Sequence, residues 1–235
     1  MSISPGPDDL HPRVLYEIRH ELVQPLFMLF NTSFSLPKLP IDWKISKIVA
    51  LHKKGNKNEP SNYRPVNLTS IVCKIMESII RDIIMEHFLA TDYFSNKQYG
   101  FIRGRSAALQ LLRILDDWTF NLDLGNQIDV IYTDFEKAFD KIPQNGLLYK
   151  LQASGLNNNL ISWIQDFLNN RKQFVTVNGQ FSKLFKVLSG IPQGSVLGPI
   201  LFLIYINDLP DFCLGKQMLI VIFICMQMMQ SYIRP

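Results

Sequence analysis

From Ser70 to Leu89 the chain reads SIVCKIMESIIRDIIMEHFL, a run without glycine or proline. No other feature restricts the fold as much. Val72, Ile75, Met76, Ile79, Ile80, Ile83 and Ile84 recur with a helical period and predict one apolar stripe, with Lys74, Glu77, Arg81 and Asp82 opposite. Thr69 or Ser70 can cap the start by accepting a first-turn amide hydrogen. A helix with so broad a stripe needs a core, and the remaining sequence must supply it.

The flanking patterns supply several partners. Residues 13–30 carry helical spacing through Val14, Leu15, Ile18 and Leu22, and Pro25 is expected to kink or divide that helix. Ile45, Ile48 and Ala50 suggest a strand running into a basic loop. A second helix is predicted over 106–119, with Ala108, Leu111, Leu115 and Trp118 inward. Residues 128–134, IDVIYTD, read as a strand, and 145–154 and 159–169 as helices. Asn178-Gly179 sits between two short strand patterns, a hairpin signal because both residues tolerate positive φ. An apolar helix then runs to about Asn207. This order predicts an α+β fold, a split β-α-β sheet with helices on one face.

Composition narrows the function classes. The 235 residues are 47% hydrophobic and 19% charged, with net charge +4, which suits a globular chain and is compatible with a polyanion partner. Cys73, Cys213 and Cys225 are far apart and the four histidines lack ligand spacing, so neither a disulfide framework nor a zinc site is expected, and an intracellular setting, nucleus or cytoplasm, is. The start has no apolar leader segment. The apolar runs 196–206 and 218–226 are too short to span a bilayer, which takes about 20 residues; no membrane partner is expected.

Three segments could carry chemistry. In TDFEKAFD, Asp134 closes an apolar strand with Glu136 and Asp140 close behind. It reads either as a helix N-cap or as a ligand for a hard cation such as Mg²⁺, which takes carboxylate oxygens. In SGIPQGSVLGP, three glycines and two prolines precede a helix: an anion-binding loop, or an ordinary turn capped by Ser195. Between residues 44 and 64, Lys44, Lys47, Lys53, Lys54, Lys57 and Arg64 face one acid, Glu59. That run is a solvated loop or a phosphate-reaching finger, and Pro65 restricts Arg64 to extended backbone.

Taken in order, NYRPVNLTSIVCKIMESII, QYGFIRGRSA, DVIYTDFEKAFDKI, LNNRKQFVTVNG and SGIPQGSVLGPILFLIYINDLP resemble the reverse transcriptase domain of non-long-terminal-repeat retrotransposons of the jockey-like kind, from about Gly6 to Asp211. The resemblance implies a right-hand polymerase: a helical lead-in over 1–40, fingers over 41–127, a ferredoxin-like palm over 128–214, and no thumb. It implies two-metal phosphoryl transfer with Mg²⁺, or Mn²⁺ in its place, on an RNA template, a DNA primer and a deoxynucleoside triphosphate. Asp134 and the Phe135 carbonyl would be metal ligands. Arg64, helped by Lys53 or Lys54, would grip the triphosphate. Ala138, Phe139, Gln193 and Gly194 would line the nucleotide pocket, with Phe139 excluding a ribose 2′-hydroxyl. Arg103, Arg105 and Lys57 would lie along the nucleic acid.

The family next requires Tyr/Phe-Ala-Asp-Asp, yet Asp211 is the last acidic residue and the chain ends FICMQMMQSYIRP. The genetic code accounts for that ending. Reading each codon's last base with the first two of the next turns Cys225 through Gln230 into Tyr/His-Ala-Asp/Asn-Asp-Ala. Residues 215–235 are therefore read as out-of-frame translation of the catalytic hairpin, with the slip between Leu209 and Ile222. The expectation is a frameshifted fragment with impaired metal binding that does not polymerise. The alternatives are an active enzyme once the frame is restored, or a non-catalytic RNA-binding remnant.

Overall fold

A computed structural model of the chain describes residues 4–130, 135 and 137–210. Helices α1 (Pro12–Glu17) and α2 (Arg19–Ser35) lead into strands β1 (Ile45–His52) and β2 (Tyr63–Leu68). Helices α3 (Ile71–Ala90), α4 (Ala107–Asp123), α5 (Gln144–Ala153) and α6 (Asn158–Leu168) follow. Strands β3 (Lys172–Val177), β4 (Gln180–Phe181) and β5 (Phe185–Lys186) then precede helix α7 (Gly198–Ile206). The class is mixed α+β, as the sequence predicts.

The sheet is small and mixed. β2 pairs antiparallel with β1, β1 pairs parallel with β3, and β4 and β5 both pair antiparallel with β3. The β3–β4 turn is built as its dipeptide predicts, with Asn178 at φ 49° and Gly179 at φ 77°. The β1–β3 pairing joins residues on either side of the expected fingers–palm border.

The core lies among α3, α5, α6 and α7. Helix α7 is apolar on every side, GPILFLIYI, and is buried almost throughout, as that composition requires. Leu147 and Leu151 of α5, Trp163, Ile164, Phe167 and Leu168 of α6, and Ile80, Ile84 and Phe88 of α3 complete it. Polar ties fasten the early chain to α6. The Trp163 indole donates to Ser33 Oγ at 3.1 Å, and Asp166 accepts from the Leu39 amide at 2.7 Å and pairs with Lys44 at 2.8 Å.

Four local expectations need correction. The first helical segment divides at Ile18, and α2 runs on through Pro25. Proline removes one amide donor but does not end a helix whose other face packs, and here Leu26, Phe30 and Phe34 rest on the core. In α3, Ser70 caps as expected, but the buried side is rotated. Val72, Cys73, Met76, Glu77, Ile80, Ile84 and Phe88 face inward, while Ile75, Ile79 and Ile83 are exposed. The apolar stripe is wider than the neighbours that cover it, and Glu77 belongs to the interior. In α4, Ser106 caps the helix but no residue is buried, and Leu115 is 55% exposed. Helical spacing fixes which side chains share a face, not whether a neighbour covers it. Of the predicted strand 128–134, residues 128–130 carry no strand and residues 131–134 lie outside the described residues.

Candidate active site

The loop 189–197 folds onto the turn 137–142. That turn is closed by the Asp140 amide on the Lys137 carbonyl at 2.9 Å. The Gly190 amide donates to the Ile142 carbonyl and the Ile191 amide to the Phe139 carbonyl, both at 2.9 Å. Ser189 Oγ donates to the Asp140 carbonyl at 3.0 Å, and Gln193 Nε2 to the Asp140 carboxylate at 2.8 Å. So close an approach requires glycine. Gly190 has φ +83°, and a Cβ there would lie 2.7 Å from Asp140 Cα and from the Phe139 carbonyl oxygen. Gly194, also at φ +83°, backs onto the Asn67 carbonyl at the end of β2. The structure thus brings Ala138, Phe139, Gln193 and Gly194 into one neighbourhood. Phe139 itself is buried, its ring 4.9 Å from that of Phe202 in α7, and Ala138 is half-buried. Gln193 is half-exposed beside them.

At the start of α7, Ser195 Oγ accepts from the Gly198 amide at 2.9 Å, while the N-cap residue itself is Leu197, whose side chain makes no cap bond. The Val196 and Leu197 amides donate to Glu77 Oε2 at 2.7 and 3.1 Å. The anion at this helix start is an internal carboxylate from α3. Glu77 is 0% exposed, and burial raises its pKa; the Leu197 amide, the charge of Arg171, the Val196 amide and the Cys73 thiol act against that rise. At the other end of α7, Lys150 donates to the Tyr205 carbonyl and pairs with Asp208. Both ends of the helix dipole are therefore met by opposite charge from neighbouring helices.

Sequence reading missed Glu77 and Arg171. Arg171, also buried, donates to the carbonyls of Phe167 at 3.0 Å and Trp43 at 3.4 Å and to Ser46 Oγ at 3.4 Å, so it joins α6 to β1. The one available signal for Glu77 is its position four residues after Cys73 and three before Ile80, on the line that proves to be buried.

Lys53, Lys54, Lys57 and Arg64 are all exposed around the β1–β2 loop. The loop is braced from within: the Lys53 amide reaches the Asn62 carbonyl at 2.8 Å, and Tyr63 Oη reaches the Lys57 carbonyl at 2.8 Å. Arg64 stands opposite Leu51 in the sheet. Arg103 is exposed, whereas Arg105 is engaged within the chain, its Nη1 donating to the carbonyls of Ser95 and Gln98. These two arginines border a cleft of about 770 Å³ that also includes Phe88, Tyr93 and Asp208. Phe135 is 43% exposed; Asp134 and Glu136 lie outside the described residues.

Among the described residues, no three His, Cys, Asp or Glu side chains lie together to hold a metal ion. Asp140 accepts from Gln193, and Glu77 from two backbone amides. Among the same residues, no helix is long and apolar enough to cross a membrane.

The class to which this loop, turn and sheet belong is set by comparison with known families. The profile of the family described as reverse transcriptase (RNA-dependent DNA polymerase) matches residues 51–226, and the chain belongs to that family. Among its relatives is the probable RNA-directed DNA polymerase from transposon X-element of Drosophila melanogaster, 30% identical over 220 residues, which cover 92% of this chain and 24% of that protein. The RNA-directed DNA polymerase from mobile element jockey of the same species is 29% identical over 208 residues, 88% of this chain and 23% of that protein. A Pol polyprotein from the type-1 retrotransposable element R2 of Popillia japonica is 22% identical over 173 residues, 73% of this chain and 24% of that protein. The chain spans about a quarter of the length of these relatives.

Proposed function

We propose that this chain is the fingers and palm region of a retrotransposon reverse transcriptase, and that as written it does not polymerise. The observation that carries the reading is the seating of the SGIPQGS loop on the turn that follows Asp134, through Gly190, Ile191 and Gln193. Both segments belong to the blocks that resemble the family, and they meet in space although far apart in sequence. Residues 41–127 are the fingers, 128–214 the palm, and 215–235 an out-of-frame tail.

In this reading Asp134 and the Phe135 carbonyl would hold Mg²⁺, with Mn²⁺ as a substitute, and the ion would supply charge stabilisation at the transferring phosphoryl group. The chain's own residues bind and orient. Arg64, with its fixed guanidinium fork, grips a triphosphate, and Lys53 and Lys54 add point charges. Gln193 and Gly194 shape the nucleotide pocket, with Ala138 and Phe139 as its floor. Arg103, Arg105 and Lys57 lie along an RNA template and DNA primer. The stretch 212–235, where the resemblance puts the acidic pair, holds no Asp or Glu, so it does not supply the further carboxylates that in-line transfer needs, and in this reading metal binding is impaired. The setting is intracellular, in nucleus or cytoplasm.

The test is primer extension on an RNA template with Mg²⁺ and with Mn²⁺. Incorporation no greater than that of an Asp134→Ala control is expected, and incorporation above it refutes inactivity. Restoring the frame between Leu209 and Ile222 is expected to create Asp134-dependent extension; a restored chain that still fails counts against the polymerase reading itself. The exposed, braced loop carrying Lys53, Lys54 and Lys57 favours a second reading, an RNA-binding remnant without catalysis.

A further inference from the structure

The proposed chemistry gives Asp140 no part, yet its carboxylate is the partner of Gln193. The two residues are 53 apart in sequence, and Gln193 Nε2 donates to Asp140 Oδ1 at 2.8 Å. Both backbones are held without that bond. The Asp140 amide closes on the Lys137 carbonyl at 2.9 Å, and the Asp140 carbonyl accepts from Ser189 Oγ at 3.0 Å. On the loop, the Ile191 amide reaches the Phe139 carbonyl at 2.9 Å, and the Ser195 amide reaches the Pro192 carbonyl at 3.2 Å. Gln144 Nε2 donates to the Gly190 carbonyl at 3.3 Å. Behind Gln193, Gly194 backs so closely on β2 that a Cβ there would lie 2.7 Å from the Asn67 carbonyl oxygen.

The bond between the two side chains is poorly placed to stabilise this assembly. Asp140 is exposed and Gln193 only partly buried, so water competes for both partners and the net gain is small. What the bond fixes is orientation. A glutamine amide has a donor end and an acceptor end, whereas a carboxylate only accepts. Asp140 therefore takes the NH2 end and repels the oxygen end, which leaves Gln193 Oε1 turned away from it. Among the described residues, nothing donates to that oxygen. Without a carboxylate opposite, either end of the amide could face either way.

We propose that Asp140 is a positioning residue for Gln193, fixing the amide so that its carbonyl oxygen is the end offered to a nucleotide. This rests on the reading of Gln193 as a nucleotide-pocket residue and adds the polarity of the contact. An acceptor at this point suits a hydrogen-bond donor of the nucleotide and not a phosphate oxygen.

The first experiment is NMR of the 235-residue chain carrying isotope-labelled glutamine side chains. The Gln193 NH2 signals are identified by their loss in Gln193→Met. Asp140→Ala is expected to shift them and speed their hydrogen exchange about tenfold, while the melting temperature moves by no more than about 2 °C. Asp140→Asn, which keeps an acceptor, should restore part of the shift, and Asp140→Leu none. The second experiment is primer extension by the chain with its frame restored. Asp140→Ala and Gln193→Ala should each raise KM for the nucleotide about tenfold with kcat changed less than about twofold, and the double variant should go no further. Unchanged Gln193 signals in Asp140→Ala overturn the proposal. So does a larger melting loss, which marks a structural tie, and so do KM effects that multiply in the double variant. A restored chain that extends no primer counts against the polymerase reading alone, and the glutamine signals still decide whether Asp140 fixes Gln193.

Discussion

The Glu77 carboxylate accepts the Leu197 amide at 3.1 Å, so helix α3 holds the entrance of helix α7. The same oxygen takes the Val196 amide at 2.7 Å, and the other oxygen lies 3.5 Å from the Cys73 thiol. Glu77→Ala strands the buried Leu197 amide and the partly buried Val196 amide and leaves Arg171 without its countercharge. Such a loss costs about 3–5 kcal/mol. Glu77→Gln keeps an acceptor and should cost less than half as much. Urea unfolding of the two variants checks this, and equal losses would mean that the acceptor is unimportant.

The pH profile follows from the same carboxyl. Burial raises its pKa above the usual 4.5, against the amide bonds and Arg171. From about 4.5 up to the folded-state value, the folded chain keeps a proton that the unfolded chain has lost. Glu77 therefore makes stability fall as the pH rises through that window, with no further change above it. The difference in unfolding free energy between parent and Glu77→Gln should shift against the parent over that range. Parallel profiles would show that Glu77 does not titrate differently on folding.

Gly190 should be intolerant in a way that Gly125 is not. Both have positive φ, +83° and +76°, but only Gly190 has backbone where a Cβ would go; at Gly125 that space is open. Gly125→Ala carries the left-handed penalty alone, about 1 kcal/mol. Gly190→Ala adds a clash with Asp140 and Phe139 and should cost more than about 3 kcal/mol or displace the loop. Thermal melts of the pair decide it, with similar losses counting against the seating of the loop on the turn.

What could be read in the sequence was local. The α3 cap at Ser70, the Asn178-Gly179 hairpin and the all-apolar α7 each follow from neighbouring residues, and each is present. The parallel pairing of Ile45–Val49 with Lys172–Thr176 joins segments more than a hundred residues apart, and no local pattern announces it. Glu77 was misplaced because a carboxylate in an amphipathic helix is counted with the polar face; only the amides of α7 reveal its role. At the candidate site, the loop 189–197 rests on the turn 137–142 through contacts between segments about fifty residues apart, which no local pattern announces. Asp134, the metal ligand of the proposed reading, lies outside the described residues.

Arg171 should not accept lysine. Its guanidinium reaches Phe167, Trp43 and Ser46 from one fixed plane and lies 5.0 Å from the Phe167 ring centroid. A lysine ammonium cannot span those acceptors, so Arg171→Lys should lose about 2 kcal/mol, and Arg171→Ala about 3–5 kcal/mol. Urea midpoints of the two variants check the order, and a neutral lysine variant would show that charge alone is needed.

Cys73 should behave as an inert thiol. It is 1% exposed, and burial pushes its pKa well above the usual 9.0, with the neighbouring Glu77 carboxylate adding to the rise. Only the thiolate reacts quickly with alkylating reagents, so both access and ionisation protect it. Iodoacetamide labelling should reach Cys73 only through unfolding, about a thousandfold more slowly than in urea for a chain of ordinary stability. Because Cys213 and Cys225 fall outside the described residues, the label is followed on the peptide that contains Cys73. Rapid native labelling of that peptide would mean that the α3–α7 contact opens readily, and the Glu77 lock on Val196 and Leu197 would fall with it.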